Sequence, residues 1–551
     1  MGFMRWLGEK LGLLPKRALL QKKPRPIPPA PRFPVAEREP TVKKSRTELP
    51  EDKSPAIYRK TAVSIETRKI ESPVAAKTQI PPAKPEALIN IGFDFGTSST
   101  KIFWRDVFND RVALLGFEDN ISGYSSVCLP STLKILRNGK LLFGNAAEKD
   151  KNPGTVFRSL KVCFACNHNA LTCRDCGPSA QLGKVARGRF LIQTDSASDI
   201  RVTAADLCAI LVAGLMREAK SKIVGCLIPG NRIKFISNMA APLDQLEGHR
   251  IRDPFERLFY YGTELVEQLG ANSTLESALN LCRRLAQNVP SIPDSQERLT
   301  FVVPEAIAAV HAYCKLPQTE DGLYALIDVG AGTTNVSFFR FSRDFPKPVA
   351  FYASHTDSVG ADDIDLAIHA SLKKKYNRIE QADASATRSL LHDIRLAKQQ
   401  LKDGILQISQ EVLLSAAEVC AASRPVIERI WRVYETAFRR AYAKERFASR
   451  WSMLNLVFVG GGSLFPGVVE RLKRKPDSIV SKIEIKPWAL PNDLKMLKKT
   501  GEHELRMGLP LLAVGLGLSY PKIDISDYWP PEAVKPIGPK PVMDREPEDW
   551  R

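Results

Sequence analysis

At 551 residues, with 44% hydrophobic and 26% charged positions, the chain is too long and too apolar for a disordered tail or a small stapled scaffold, and it predicts one large domain or several packed ones. Its formal charge of +19 is unevenly spread: residues 1–86 hold 19 Lys and Arg against 9 Asp and Glu, which leaves +9 for all the rest. No apolar run reaches the roughly 18 residues of a spanning helix and the start lacks a signal-peptide pattern, so a cytoplasmic protein is expected.

Over residues 1–20, Met4, Leu7, Leu11 and Leu14 recur at helical spacing beside Phe3, Trp6, Arg5, Lys10, Lys16 and Arg17, the pattern of an amphipathic surface helix. Gly8 and Gly12 each weaken such a helix by about 1 kcal/mol, and a tip that binds nothing is the competing reading. Residues 21–86 are basic and proline-rich and predict a disordered, extended linker. From 87 to 521, β-rich runs alternate with amphipathic helical runs, the pattern of an α/β fold. Strands are expected at Leu88–Phe95, Leu323–Val329 and Leu454–Val459, and helices at Ala204–Ser221, Glu305–Tyr313, Thr387–Lys402 and Ala416–Ala448. Residues 522–551, with six prolines, predict an extended tail.

Three of the expected strands end in glycine-rich turns. Asp94-Phe-Gly-Thr-Ser-Ser-Thr and Asp328-Val-Gly-Ala-Gly-Thr-Thr repeat one design: an Asp, a Gly two residues on, a hydroxyl six residues on, then a second apolar strand. Glycines let backbone N–H groups approach phosphate oxygens, hydroxyls add donors, and a carboxylate at a strand end can hold hydrated Mg²⁺. Either turn alone reads as an ordinary hairpin; the pair reads as a two-sided grip on a nucleotide. The third turn, Val459-Gly-Gly-Gly-Ser-Leu-Phe-Pro-Gly467, precedes a helical pattern and suits close backbone approach to adenosine.

These motifs resemble the superfamily of actin, sugar kinases and DnaK-type heat-shock 70 chaperones, over roughly residues 88–520 and in the family's order. The resemblance implies a two-lobed, actin-like ATPase fold, built of duplicated ribonuclease-H-like domains around a nucleotide cleft, with ATP or ADP and Mg²⁺ bound. Matched by position, Asp94, Gly96, Thr97, Ser98 and Ser99 form the first phosphate loop, and Asp328, Gly330, Ala331, Gly332, Thr333 and Thr334 the second. Gly460, Gly461, Gly462 and Ser463 form the adenosine loop, and Ala513–Gly517 the last connecting helix. The stretch Val303–Tyr313 resembles the first connecting helix, which assigns the orientation of the attacking water to Glu305. Asp94 and Asp328 would hold the magnesium through water.

Leu129–Ala147, Val359–Asp365 and Arg395–Leu401 favour the chaperone branch, the last of them offering Lys398 to adenine, whereas Asn238–Asp244 is closer to actin. The sequence also departs from the chaperone pattern. Lys161, the match to the catalytic lysine, falls one position late; Asn335 stands where an acid is expected, and Arg395 replaces an acidic adenosine contact. Slow ATP turnover, or binding with little turnover, is the expected result.

Cys163-x-x-Cys166 and Cys173-x-x-Cys176 are spaced for four thiolates on one tetrahedral Zn²⁺, a small zinc-knuckle insertion just after Lys161. An iron–sulfur cluster, a redox-active disulfide pair and four unrelated thiols are the alternatives. The other six cysteines are expected in the core.

The reading that follows is a nucleotide-dependent conformational switch for a protein partner, resembling a heat-shock chaperone without its peptide-binding domain, for which about thirty residues after the last helix leave no room. An actin-like filament or membrane-tethered scaffold, and a small-molecule kinase, are the competing readings. The basic arm adds nucleic acid or an acidic membrane surface as lesser partners, the latter placing the protein at the inner face of the membrane.

Overall fold

The structure, a computed structural model, describes residues 86–117, 127–167, 184–227, 232–241, 249–288, 298–376, 390–488 and 502–538, apart from a few positions inside those spans. The expected tip and linker lie outside the described residues, as do Cys173, Cys176 and residues 539–551. Contacts divide the chain into residues 16–83 and the remainder, and every described residue falls in the remainder.

The fold is mixed α/β with several sheets. The first large sheet holds β1 (Glu86–Phe95), β2 (Ser99–Asp106), β3 (Arg111–Leu114), β4 (Leu129–Pro130), β5 (Arg232–Ala241) and β6 (Thr300–Pro304). β1, β2 and β3 form an antiparallel meander, β5 and β6 extend it in parallel on the far side of β1, and β4 pairs with the start of β2. β1 is central because Ile89, Ile91, Phe93 and Phe95 are fully buried on one side while Asn90 and Asp94 are buried on the other. Parallel strands need long crossovers, and these contain α1 (Leu160–Asn167), α2 (Ala204–Cys226) and α3 (His249–Val266). A capping box fixes the start of α2: Thr203 Oγ1 accepts from the Asp206 N–H at 3.1 Å and the Asp206 carboxylate accepts from the Thr203 N–H at 2.9 Å. α4 (Glu305–Cys314) follows β6 without a loop.

The second large sheet holds β7 (Gly322–Val329), β8 (Thr334–Phe341), β9 (Val349–Asp357), β10 (Met453–Val459), β11 (Lys482–Ile485) and β12 (Tyr528–Trp529). Its order, β11-β10-β7-β8-β9, repeats the order β6-β5-β1-β2-β3 with the same parallel and antiparallel senses. α5 (Ala361–Lys375) and α6 (Ala416–Lys444) share the core on one face of this sheet. α7 (Glu502–Leu518) packs against α4 and β1 so closely that a Cβ on Gly517 would fall 1.8 Å from the Ala308 carbonyl oxygen. The carbonyls at and just beyond its end are taken by two buried asparagines on neighbouring strands: Asn90 Nδ2 donates to Ser519 O at 2.7 Å, and Asn238 Nδ2 to Leu518 O at 2.9 Å and Tyr520 O at 2.7 Å.

The structure differs from the sequence expectation at several points. α6 ends at Lys444 rather than Ala448, because Glu445 turns out of the helix, is fully buried, and accepts at its carbonyl from Trp451 Nε1 at 2.8 Å. The described positions of the expected helix Thr387–Lys402 are helical between 390 and 398. The described part of the expected extended tail folds back instead: Lys522–Ile525 is a helical turn, β12 pairs with Val349 and Ala350, and the Ile537 N–H donates to Lys444 O at 2.7 Å. Cys226 and Cys420 are exposed and not core, since Cys226 is the last residue of α2 and Cys420 falls beside, not among, the inward positions of α6. Among the described residues no helix is long and apolar enough to cross a membrane.

Candidate active site

The two Asp-Gly turns are the hairpin tips of β1–β2 and β7–β8, and each is braced by a separate segment. At the first, the Gly96 N–H donates to Asp94 O at 3.0 Å and Ser131 Oγ donates to Gly96 O at 2.8 Å, while the Ser131 N–H reaches Ser98 O at 3.1 Å. At the second, the Gly330 N–H donates to Thr333 O at 2.8 Å, and the Ala361 and Asp362 N–H groups donate to Gly330 O and Ala331 O at 2.9 and 2.8 Å. Thr334 is buried and its Oγ1 donates to Val359 O at 2.7 Å, so its hydroxyl is committed to the turn. The segments at 129–131 and 359–362 are therefore the braces of the two turns, which explains why their sequences accompany the turn motifs.

The turns face one another. A Cβ on Gly332 would stand 3.7 Å from both Thr97 Oγ1 and Thr97 Cγ2, in ordinary contact across the two turns, and 2.9 Å from Val162 Cγ2, which would have to shift. The third loop closes on the same place. Gly460 has φ +79°, and a Cβ there would lie 2.4 Å from Asp328 Oδ1 and 2.4 Å from Val329 O. Its N–H donates to Pro510 O at 3.0 Å, which ties the loop to α7. Gly461 and Gly462 open a 3₁₀ turn, and buried Ser463 donates through Oγ to Gly460 O at 2.7 Å.

Charged groups converge between the turns. Lys161 is 4% exposed; its Nζ donates to Glu305 Oε1 at 2.5 Å and also to Phe95 O. Although one position late in sequence, it thus reaches the first turn and Glu305 together, because it lies in the first turn of α1 while Glu305 opens α4. Asp94 is 5% exposed and accepts from Lys101 Nζ at 3.2 Å. Asp328 is pushed up to about 7, first by burial and then by the charges of Glu305 and Asp94, with Lys101 and Lys161 opposing. Burial works against the Lys101 charge, yet Asp94 beside it raises its pKa on balance. Lys101 carries no signal in the turn motif; what could have revealed it is a lone cation inside the apolar strand Thr100-Lys-Ile-Phe-Trp104.

Three carboxylates against two ammonium groups, with Asp328 resisting ionisation, is a donor set that an added cation would relieve, so the residues present fit hydrated Mg²⁺. Among the described residues no three His, Cys, Asp or Glu side chains are gathered as a metal-binding group.

Other expected site residues are engaged elsewhere. Lys398 Nζ pairs with Asp365 Oδ1 at 2.6 Å and donates to Ala361 O at 2.9 Å, and Arg395 pairs with Asp362 at 2.9 Å. Asn335 donates to Thr356 Oγ1 at 2.6 Å across β8 and β9. Cys163 is buried in the apolar core behind α1. Cys166 belongs to the same helix, but its side chain, like Cys173 and Cys176, lies outside the described residues.

No protein-family profile matches the chain. Curated proteins similar to it include the chaperone protein HscA homolog of Shewanella loihica, 28% identical over 174 residues that make up 31% of this chain and 27% of that protein. The HscA homolog of Laribacter hongkongensis is 30% identical over 173 residues, 30% of this chain and 26% of that protein. HscA of Serratia proteamaculans is 27% identical over 168 residues, 30% of this chain and 27% of that protein. The match thus spans about a quarter of the length of these relatives.

Proposed function

We propose that this chain, similar to HscA chaperones over about 30% of its length, is a heat-shock-70-like, actin-type ATPase that binds ATP and ADP with Mg²⁺ between the two Asp-Gly turns and hydrolyses ATP slowly. The convergence of Asp94, Asp328, Glu305, Lys161 and Lys101 where Thr97 meets Gly332 carries this reading. The repeated strand order of the two sheets supports two duplicated lobes around a cleft.

Backbone N–H groups of the turns and the hydroxyls of Thr97, Ser98, Ser99 and Thr333 would take the phosphates, with the Gly460–Ser463 loop against adenosine. Asp94 and Asp328 would hold magnesium through water, and the metal would shield phosphate charge. Glu305 pairs with Lys161; release of that pair would let Glu305 orient water and Lys161 meet the γ-phosphate. Asn335 is tied to Thr356 and supplies no second acid beside Asp328, which supports slow turnover. The output is a change of shape read by a protein partner. The four-cysteine set would hold structural zinc, which requires the Cys163 thiol to turn out of the apolar core. Its spacing supports this, and metal analysis of the native protein should find one zinc per chain that Cys173→Ser removes.

Nucleotide binding and hydrolysis by the purified protein test the central reading. Wild type should bind Mg²⁺–ATP, and Asp94→Ala and Asp328→Ala should each weaken binding or turnover at least about tenfold. A wild-type protein that binds no adenine nucleotide in the presence of Mg²⁺ ends it.

A further inference from the structure

One end of the second sheet leaves large aromatic side chains in water. Arg340, Ala350 and Trp529 stand opposite one another on β8, β9 and β12, so their side chains share one face of the sheet. Trp529 is 41% exposed, Phe345 on the β8–β9 loop 45%, and Phe447 just beyond α6 42%. Each ring carries its own cation: Arg340 Cζ is 5.4 Å from the Phe345 centroid, Lys347 Nζ 5.1 Å from Trp529, and Arg450 Cζ 5.4 Å from Phe447. β9 joins them to the segment after α6, because Tyr352 donates to Glu445 at 3.2 Å and Glu445 pairs with Arg450 at 2.5 Å. Glu445 is fully buried and pairs with Arg450; exposed acids here include Asp321, which accepts from Ser342 Oγ and the Arg343 N–H of the β8–β9 loop, together with Asp344, Asp527 and Glu532.

Exposed rings with cations beside them suit either a bilayer surface or a single-stranded nucleic acid. Two observations favour the bilayer. Each ring has a face already covered by its own cation, which leaves less for base stacking. Ile537, 41% exposed and bonded through its backbone to Lys444 and Arg446, adds aliphatic surface that stacking does not use and insertion does.

We propose that this end of the second sheet docks on an anionic lipid bilayer, with Phe345, Phe447 and Trp529 entering the headgroup layer and Arg340, Lys347 and Arg450 meeting lipid phosphates. Arg340, Ala350 and Trp529 lie at the end of the second sheet away from the Asp328 turn.

The test uses the full chain with phosphatidylcholine vesicles, with and without about one-third phosphatidylglycerol. The protein should sediment with the anionic vesicles, less so as salt rises, and Phe345→Ser/Trp529→Ser should weaken partition about tenfold or more while the variant keeps a cooperative thermal transition. Trp529→Phe guards against a misfolded variant: it should bind as wild type does but lose part of the tryptophan quenching by brominated lipid. Unchanged partition of the double variant would assign membrane binding to the arm and overturn the proposal. So would unchanged quenching in Trp529→Phe, or loss by the patch variants of single-stranded oligonucleotide binding in place of vesicle binding.

Discussion

Lys101 and Gly460 show how single residues set the terms of the site. Lys101 is the partner of Asp94 in a buried cluster that already holds Asp328 and Glu305. Removing one member of a buried pair leaves the other charge uncompensated, at a cost of about 3 kcal/mol or more. Lys101→Met should therefore lower the unfolding midpoint of the ligand-free protein, and adding Asp94→Asn should restore part of the loss; a double-mutant cycle by denaturant unfolding measures it. At Gly460, φ +79° and the neighbouring Asp328 and Val329 oxygens act together. Gly460→Ala should cost about 2 kcal/mol or more in stability and displace Asp328, seen as weakened nucleotide binding. The turns were legible in the sequence because Asp, Gly and hydroxyl residues recur there at the same spacing twice. Lys101 was not, because its partner is set by the hairpin pairing of β1 with β2 and its neighbours by the approach of the second turn.

Between elements, the joint of α4, α7 and β1 rests on contacts that sequence periodicity does not show. Glycines let α7 lie against α4 and β1, and the buried amides of Asn90 and Asn238 close its C-terminal end. Below them, His311 of α4 packs edge-on to Tyr520 at 4.9 Å and is pushed down to about 3, by burial first and then by Lys315 and Arg105. Since the folded state refuses a proton that the unfolded chain accepts near 6.5, this contribution is complete above pH 6.5 and is lost as pH falls toward 3. The slope approaches about 1.4 kcal/mol per pH unit. His311→Asn should flatten the acid side of the stability profile, followed by thermal unfolding between pH 7 and 4. Helix α4 itself was expected to within one residue at its end; its place beneath the end of α7 was not.

For the molecule as a whole, the C-terminal segment matters more than its proline content implies. Residues 522–538 return to the second sheet, supply β12, and pair Ile537 with the end of α6. A chain ending at residue 521 should unfold at a temperature lower by several degrees and expose the outer edge of β9; an unchanged midpoint in a calorimetric scan would show that this segment adds nothing to the fold. By itself, the sequence determined the α/β class, the main strands and helices, and the two repeated Asp-Gly turns, because these rest on local periodicity and on residue types that recur at fixed spacing. Only the tertiary structure decided that Lys161 meets Glu305, that Lys101 joins the aspartates, that Lys398 and Arg395 spend their charge on Asp365 and Asp362, and that a proline-rich end becomes a strand. Each of these depends on which distant segments pack together, and an ion pair or an edge strand exists only once burial has brought its two halves into contact.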